Sequence, residues 1–294
     1  MQKFKPIPLF VFILAFIFIN NCQGPNKEHQ NEIESFRKKR INYLQSRKGY
    51  LNLVGLYWVF EGNYILGSNK DSGIILPKKF PNEFGRMDIS EDSIKFEFIN
   101  PVLVDSSQFL LSFNYAKSQL GHHFSWGPFQ WFVIKRGQNY ALRVKNFQNP
   151  LIRKIDEIPS FDPDISWRIK GIFKPYANQK MRTISNIWGH AVTQPTAGTV
   201  TFKYNDKKFE LESNIESNKL AVIFKDGTTG DQTYSGGRQL YLTDPDEKGN
   251  VILDFNKSFN FPCAFNDFTT CPVPPENNHL PFSIFAGEKY YFKK

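Results

Sequence analysis

From Tyr50 onward the sequence alternates between apolar and polar residues, and this pattern limits the possible folds more than any other feature. Residues 94–98, for example, read Ile, Lys, Phe, Glu and Phe. Successive side chains of a strand point to opposite faces, so a period of two indicates strands with one buried face. Such runs predict strands at 131–135, 140–144, 167–171, 199–204, 220–225, 239–243, 251–255 and 288–292. We therefore expect an all-β fold, mainly antiparallel, in sandwich or barrel-like layers.

A segment before Tyr50 follows a helical period instead. Ile33, Phe36, Ile41 and Leu44 recur at spacings of three, five and three. This recurrence predicts one N-terminal amphipathic helix over residues 31–49.

Composition and chain punctuation predict two β subdomains. Of the 294 residues, 16% are aromatic and 22% are charged, so there is enough apolar surface for a core and disorder is excluded. Pro and Asp residues cluster between Pro150 and Pro163. We therefore expect an N-terminal β subdomain over 50–158 and a C-terminal one over 159–294.

The first 30 residues predict export. Two lysines precede an apolar run over residues 9–19, and Cys22 follows closely. The run is too short to span a bilayer, which takes about 20 apolar residues. The pattern is typical of a bacterial signal peptide, here 1–21, cut before a lipidated Cys22 that begins a tether over 22–30. A plain secretory signal or a free thiol is the alternative. We expect a cell-envelope protein, lipid-anchored and facing the periplasm or the cell exterior.

Charge points to the same compartment. The formal net charge is +9, and loss of residues 1–21 would leave +7 because two lysines leave with them. A surplus of this size on an exported protein favours anionic lipid heads or acidic envelope polymers over nucleic acid as partners. The basic residues 37–40 form either a solvated helix face or a contact with a negative membrane surface.

The strongest candidate for a binding site is the 13-residue loop from Asp226 to Arg238. Loops of more than about 12 residues are usually functional or disordered, and the glycines of this one allow close backbone approach. Its carboxylate, hydroxyls and guanidinium suit a small polar or anionic ligand, with Arg238 as the anchor. Alternatively, Arg238 simply pairs with Asp226 or Asp254 as a structural device. The predicted ligand-binding residues are Asp226, Thr228, Tyr234 and Arg238 from the loop, with Asp254 and Asn256.

The segment after the loop adds a second set of candidates. On a strand, Asp254 and Asn256 would face the same side and could jointly hold a ligand, a cation or Arg238. Cys263 and Cys271 lie eight positions apart, and an oxidising compartment favours a disulfide between them. A metal site or a nucleophilic Cys263 is the competing interpretation.

Familiar catalytic motifs do not occur in the sequence. There is no G-x-S-x-G elbow, no H-E-x-x-H and no phosphate-binding glycine loop. His122 and His123 are adjacent and would face opposite sides of a strand, and His190 stands alone, so we expect no metal site. The sequence indicates no particular cofactor.

Several segments together resemble a known family. The chain is similar, from about Ile33 onward, to the family catalogued as domain of unknown function 1684. That family has no established activity, so the resemblance implies no catalytic residues. The segments that carry it are Leu53–Trp58, Glu61–Gly62, Gly67–Ser68, Ile74–Pro77, Asp226–Arg238, Asp254–Asn256, Pro262–Phe265, Cys271–Pro275 and Ala286–Glu288.

The leading hypothesis is an exported β protein that binds a small polar or anionic ligand or an envelope component. One rival is an extracytoplasmic hydrolase with Asp226 or Asp254 as the general base or Cys263 as the nucleophile. The other is a purely structural envelope protein. An open cleft shared by the candidate residues would favour binding or catalysis, whereas buried and mutually satisfied polar atoms would favour structure.

Overall fold

The computed structural model describes residues 25–291. Within them the all-β class is confirmed, because two mainly antiparallel sheets make up most of the regular structure. The expected signal peptide and Cys22 lie outside the described residues. No helix of the described part is long and apolar enough to cross a membrane.

The N-terminal sheet extends from residue 53 to residue 146. Its strands are β1 (Leu53–Val59), β2 (Gly62–Gly67), β3 (Ile74–Ile75), β4 (Gly85–Ile89), β5 (Ser93–Val104), β6 (Gln108–Ala116), β7 (Phe124–Trp126), β8 (Phe129–Arg136) and β9 (Asn139–Asn146). They pair in the order β1-β9-β8-β7-β5-β4-β2-β3, with β6 paired to β5. The core inside this sheet is rich in aromatic side chains such as Phe84, Phe96 and Phe124.

The C-terminal sheet extends from residue 168 to residue 260. Its strands are β10 (Arg168–Ser185), β11 (Ala191–Tyr204), β12 (Lys207–Glu216), β13 (Lys219–Phe224), β14 (Arg238–Tyr241), β15 (Asn250–Asp254) and β16 (Phe259–Asn260). They pair in the order β15-β10-β11-β12-β13-β14-β16. A second apolar cluster, which includes Val200, Leu240 and Phe255, packs against this sheet.

Two α-helices and five single 3-10 turns complete the regular structure of the described part. The α-helices are α1 (Pro25–Gln45) and α2 (Leu151–Lys154), and the 3-10 turns are Lys117–Gln119, Ile165–Trp167, Phe255–Lys257, Pro262–Ala264 and Glu276–Asn278. The predicted helix over 31–49 therefore begins six residues earlier and ends four earlier. Residues 25–30, expected as part of the tether, are helical.

The early start of α1 has a physical cause. Pro25 is the first helical residue, where its fixed φ angle and missing amide hydrogen cost nothing. His29 in the next turn is buried, four positions before the buried Ile33. The apolar period alone missed this turn because the buried face carries a polar side chain there.

One predicted strand is not formed as expected. Within the predicted run 288–292, Glu288 forms an isolated bridge with Ser160 and residues 289–291 are irregular. The Glu288 carboxylate accepts from the Arg40 side chain and from the backbone amide of Asn260, so contacts of the Glu288 side chain fix this segment.

The segment 261–272 of the C-terminal half covers one face of the N-terminal sheet. Leu142 and Val144 of β9 point into the N-terminal core. Alternate residues of β9 point to the other face, where Asn266 donates to the Leu53 carbonyl at 2.9 Å. The N-terminal sheet is thus covered on both faces near β1, β8 and β9.

Candidate functional site

Arg238, the predicted anchor for an anion, is closed off from solvent. It begins β14 and is 0% exposed, and its Nη2 donates to Oδ2 of Asp226 at 2.8 Å. Nη2 also donates to the Ile284 carbonyl at 3.1 Å, and Nη1 donates to the Ala286 carbonyl. The guanidinium therefore meets Asp226 in the interior rather than in an open pocket.

The rest of the 226–238 loop folds onto this pair. Oδ1 of Asp226 accepts from the Thr228 amide at 2.8 Å and from its hydroxyl at 2.6 Å. The Thr228 and Thr233 hydroxyls are 3.0 Å apart, and both threonines are fully buried. Tyr234 is half-buried against Tyr290, and burial raises the pKa of its hydroxyl. The loop is long because it wraps around its own polar core.

Electrostatics agree with this geometry. Burial lowers the pKa of Arg238, and the adjacent Asp226 opposes that effect. A buried ion pair of this kind is held by its hydrogen bonds, and removal of one partner is costly. The geometry therefore favours the structural alternative for Asp226, Thr228 and Arg238.

Asp254 and Asn256 lie together, as predicted, but they contact helix α1 instead of Arg238. Oδ2 of Asp254 lies 2.9 Å from Nε2 of His29, and both side chains are buried. Oδ1 of Asp254 accepts from Nδ2 of Asn256 at 3.0 Å. The Asn256 amide also exchanges two hydrogen bonds with the Asp164 backbone, at 2.8 and 2.9 Å. These two predicted ligand-binding residues hold the helix to the sheet.

Charged residues around this contact strengthen the attachment of α1. Glu32 pairs with Arg168 at 3.1 Å and with Lys257 at 2.5 Å. The hydrogen bond from Lys257 is the main reason that the pKa of Glu32 is lowered.

A cleft of about 550 Å³ lies next to this contact, between α1 and residues 156–162. Glu288 at its base is buried, and its carboxylate accepts from Nε of Arg40 at 3.1 Å and from the backbone amide of Asn260 at 2.7 Å. Burial raises the pKa of Glu288, and Arg40 opposes the rise. Since the polar groups at the base of the cleft are already paired, a ligand would gain little from them.

Cys263 and Cys271 lie at disulfide distance, with Cα atoms 6.3 Å apart, so the predicted disulfide is confirmed. The bonded Cys263 has no free thiol, which overturns its suggested role as a nucleophile. The suggested general bases, Asp226 and Asp254, are both buried and hydrogen-bonded.

His122, His123 and His190 each contact different neighbours. Nδ1 of His122 lies 2.7 Å from Oδ2 of Asp105, and the His123 ring packs beside Phe132. The His190 ring lies 4.1 Å from the Trp58 ring. Among residues 25–291, no three His, Cys, Asp or Glu side chains are grouped to hold a metal ion.

A pair of arginines that the sequence did not single out has the properties expected of an anion site. Arg136 ends β8, and Arg143 lies in the middle of β9, on the face covered by the segment 261–272. Arg143 is only 7% exposed. The Thr270 hydroxyl accepts from Nε of Arg136 at 2.9 Å and from Nη2 of Arg143 at 3.3 Å. One neutral oxygen thus serves two cations.

Neither of these guanidiniums forms an ion pair in the described part of the chain. Within the described residues no carboxylate oxygen lies within 4.0 Å of either one. Nε of Arg143 is buried and has no hydrogen-bond partner. Burial, and secondly the charge of Arg136, lower the pKa of Arg143 to about 10. Burial also lowers the pKa of Arg136. Both side chains remain cationic at neutral pH.

The two arginines line a cavity of about 160 Å³ where the two halves of the chain meet. Tyr50 lies on one side of the cavity, and Glu216 and Gln239 come from β12 and β14. The remaining lining residues belong to the segment 261–272 and include Thr269, Thr270 and Cys271. The disulfide within that segment therefore fixes the part of the lining that contacts the arginines.

A period-two pattern could not single out Arg143. The alternation in β9 correctly assigns Leu142 and Val144 to a buried face, and it makes Arg143 look like part of a solvent face. The only local signal is Ala141, which shares that second face and is fully buried.

The fold and this cavity define a two-sheet β protein with an unpaired cationic site at the junction of its halves. The family model described as "Protein of unknown function (DUF1684)" matches residues 153–289 of this chain. The C-terminal segments of the resemblance lie in the matched region, whereas Leu53–Trp58 and the other N-terminal segments, Arg136 and Arg143 precede it.

The solved structures that match this chain include a protein from a halophilic source. It is an uncharacterized protein from gene locus rrnAC0354 of Haloarcula marismortui, whose solution structure is 30% identical over 48% of this chain and 80% of that chain, with a TM-score of 0.40. Among curated proteins, none matches this chain.

Proposed function

We propose that the protein binds a small anionic ligand in the cavity lined by Arg136 and Arg143. The observation that carries the proposal is Arg143, a nearly buried cation with an unpartnered Nε and no ion pair within the described residues. The sequence predicted binding of a small polar or anionic ligand or an envelope component; the proposal takes the anionic ligand and moves its site from Arg238 to these arginines.

The energetics of burial support this proposal. Taking a cation out of water costs several kcal/mol unless a partner replaces the lost solvation. Arg238 has that partner in Asp226. Arg136 and Arg143 share the Thr270 hydroxyl, and Arg136 also donates to the Lys135 carbonyl. Both partners are neutral, so an anion between the arginines would be paired by two guanidiniums at once. Guanidiniums favour carboxylates and phosphates because they can donate two parallel hydrogen bonds.

The size of the cavity limits the ligand. Typical pockets for drug-sized ligands have volumes of about 300–1,000 Å³. The volume here, about 160 Å³, suits a phosphate, a sulfate or a small carboxylic acid. An oligosaccharide or a nucleotide would not fit inside.

Calorimetric titration tests this proposal directly. The full-length chain, purified in detergent, is titrated with phosphate, sulfate and succinate at constant ionic strength. We expect at least one of these anions to bind and Arg143→Met to weaken it about tenfold or more, because a charge-assisted hydrogen bond contributes about 1.5–3 kcal/mol.

Arg136→Met provides a second variant with a less buried side chain and the same expected direction. Arg153→Met is the matched control, since Arg153 is exposed on α2 and is not part of the cavity lining. No binding by any of the three anions, or equal weakening by the control, would overturn the proposal.

We further propose that the protein is exported and lipid-anchored through Cys22. The support is the sequence alone, with two lysines, an apolar run and then a cysteine. Cells fed a fatty-acid analogue should label the wild-type protein but not the Cys22→Ser variant. Labelling of that variant would refute this site of attachment.

A further inference from the structure

The cavity that holds the two arginines also contains a carboxylate that they do not reach. Glu216, the last residue of β12, lies in the cavity lining and is otherwise exposed. Its Oε2 accepts from Nε2 of Gln239, which is itself buried. More than 4.0 Å separates the Glu216 carboxylate from both guanidiniums, because no ion pair joins them in the described structure. The two guanidiniums and the Glu216 carboxylate line one cavity without forming an ion pair.

The contact with Gln239 fixes the orientation of this carboxylate. The side-chain amide holds one oxygen of Glu216, and the described contacts leave Oε1 of that carboxylate without a hydrogen-bond donor. An ionised carboxylate offers about four lone-pair positions and only accepts hydrogen bonds. At Glu216 the lining can therefore accept a hydrogen bond from a ligand that carries a donor, preferably a charged one.

The two arginines of the same lining require acceptors from a ligand. Arg136 and Arg143 only donate, and Nε of Arg143 has no partner. A ligand that satisfies both kinds of group has negative oxygens for the arginines and a positive nitrogen for Glu216. Two guanidiniums and one carboxylate leave one surplus positive charge in the cavity, so a ligand with a net charge of −1 would balance it.

We infer that the natural ligand is a small acidic amino acid, a molecule with two carboxylates and one ammonium group. This inference rests on the proposed anion site and specifies its ligand class. The carboxylates pair with Arg136 and Arg143, and the ammonium donates to Glu216. A purely anionic ligand would meet the Glu216 carboxylate as a repulsive neighbour, so the same residue that attracts the ammonium selects against simple anions.

Aspartate and succinate test the inference because they differ only in the ammonium group. Both are titrated calorimetrically into the full-length chain at pH 7.5 and constant ionic strength. We expect aspartate to bind about tenfold more tightly than succinate, because the free energy of one charge-assisted hydrogen bond corresponds to at least that ratio of affinities. In Glu216→Gln, aspartate should weaken and succinate should strengthen, so that the preference largely disappears.

Glu210→Gln is the matched control, because Glu210 is an exposed glutamate of the same strand outside this cavity. It should leave the ratio of the two affinities unchanged. The thermal unfolding midpoint of each variant shows that its fold is intact.

The outcomes separate this inference from the proposed function. Equal binding of aspartate and succinate, or a preference that survives in Glu216→Gln, overturns the inference and leaves an anion site. If neither ligand nor phosphate binds, the proposed function itself fails.

Discussion

Two arginines of this protein are almost equally buried and yet differ in what surrounds them. Arg238 is 0% exposed and is bonded to Asp226 and to backbone carbonyls. Arg143 is 7% exposed and shares one threonine hydroxyl with another arginine. The first is a completed structural unit, and the second is a charge that lacks its partner. Burial alone therefore does not distinguish a structural arginine from a binding arginine, whereas the count of its partners does.

The largest expected effect comes from breaking the completed unit. Arg238→Met leaves Asp226 as an uncompensated buried charge, so we expect the free energy of unfolding to fall by about 3–5 kcal/mol. Urea denaturation measures the fall. Asp226→Asn combined with Arg238→Met should recover part of it, because the remaining group is neutral. A loss below 1 kcal/mol for Arg238→Met would contradict the structural role.

Removal of the disulfide has the next largest expected effect. Of the two arginines, it concerns Arg143, whose partner Thr270 lies in the loop that the disulfide closes. Cys263→Ala with Cys271→Ala opens a small loop, and we expect unfolding to become easier by about 2 kcal/mol. Because Thr270 lies between the two cysteines and bonds both Arg136 and Arg143, anion affinity should fall in the same variant. Unchanged affinity in a destabilised variant would show that the loop does not position the site.

The strands could be predicted from the sequence because the alternation of apolar and polar residues reflects which face of each strand is buried. The alternation at residues 94–98 matches β5, and that at 140–144 matches β9. It could not predict the first turn of α1, whose buried residue is His29 and whose partner Asp254 is 225 positions away. Such a contact leaves no periodic trace in either segment.

The candidate site shows the same limit in another form. The 226–238 loop carried the residue types of a ligand site, and the structure uses them to satisfy one another. Arg143 looked like an ordinary solvent-facing residue, because a period of two cannot reveal that another segment covers the second face. Residue types indicate what chemistry is available, and the fold determines whether a partner is already present.

Arg143→Met sharpens the contrast between the two arginines, with a smaller effect. Replacement of an unpaired buried charge by an apolar side chain of similar length removes a desolvation cost. We expect the free energy of unfolding without ligand to stay the same or to rise by about 1 kcal/mol. Urea denaturation of Arg143→Met and Arg238→Met under the same conditions compares the two directly. If the free energy of unfolding falls by several kcal/mol in both variants, Arg143 has a structural role like that of Arg238.

The smallest expected effect is a decline in anion affinity at high pH. The pKa of Arg143 is about 10, lowered chiefly by burial, so the side chain is almost fully charged at pH 7.5 and half charged at pH 10. An anion binds the charged form, and the affinity for succinate should therefore be flat from pH 7.5 to 8.5 and about twofold weaker at pH 10. Titrations at constant ionic strength measure this, and succinate carries no group that titrates in the range.

Tyr50→Phe is the control for that decline, because Tyr50 lines the same cavity and the substitution removes only its hydroxyl. The decline should persist in this variant if Arg143 causes it. In Arg143→Lys the decline should begin at a lower pH, since a lysine starts from a lower pKa and burial lowers it too. A decline that vanishes in Tyr50→Phe would show that Arg143 does not cause it and would remove Arg143 from the centre of the site.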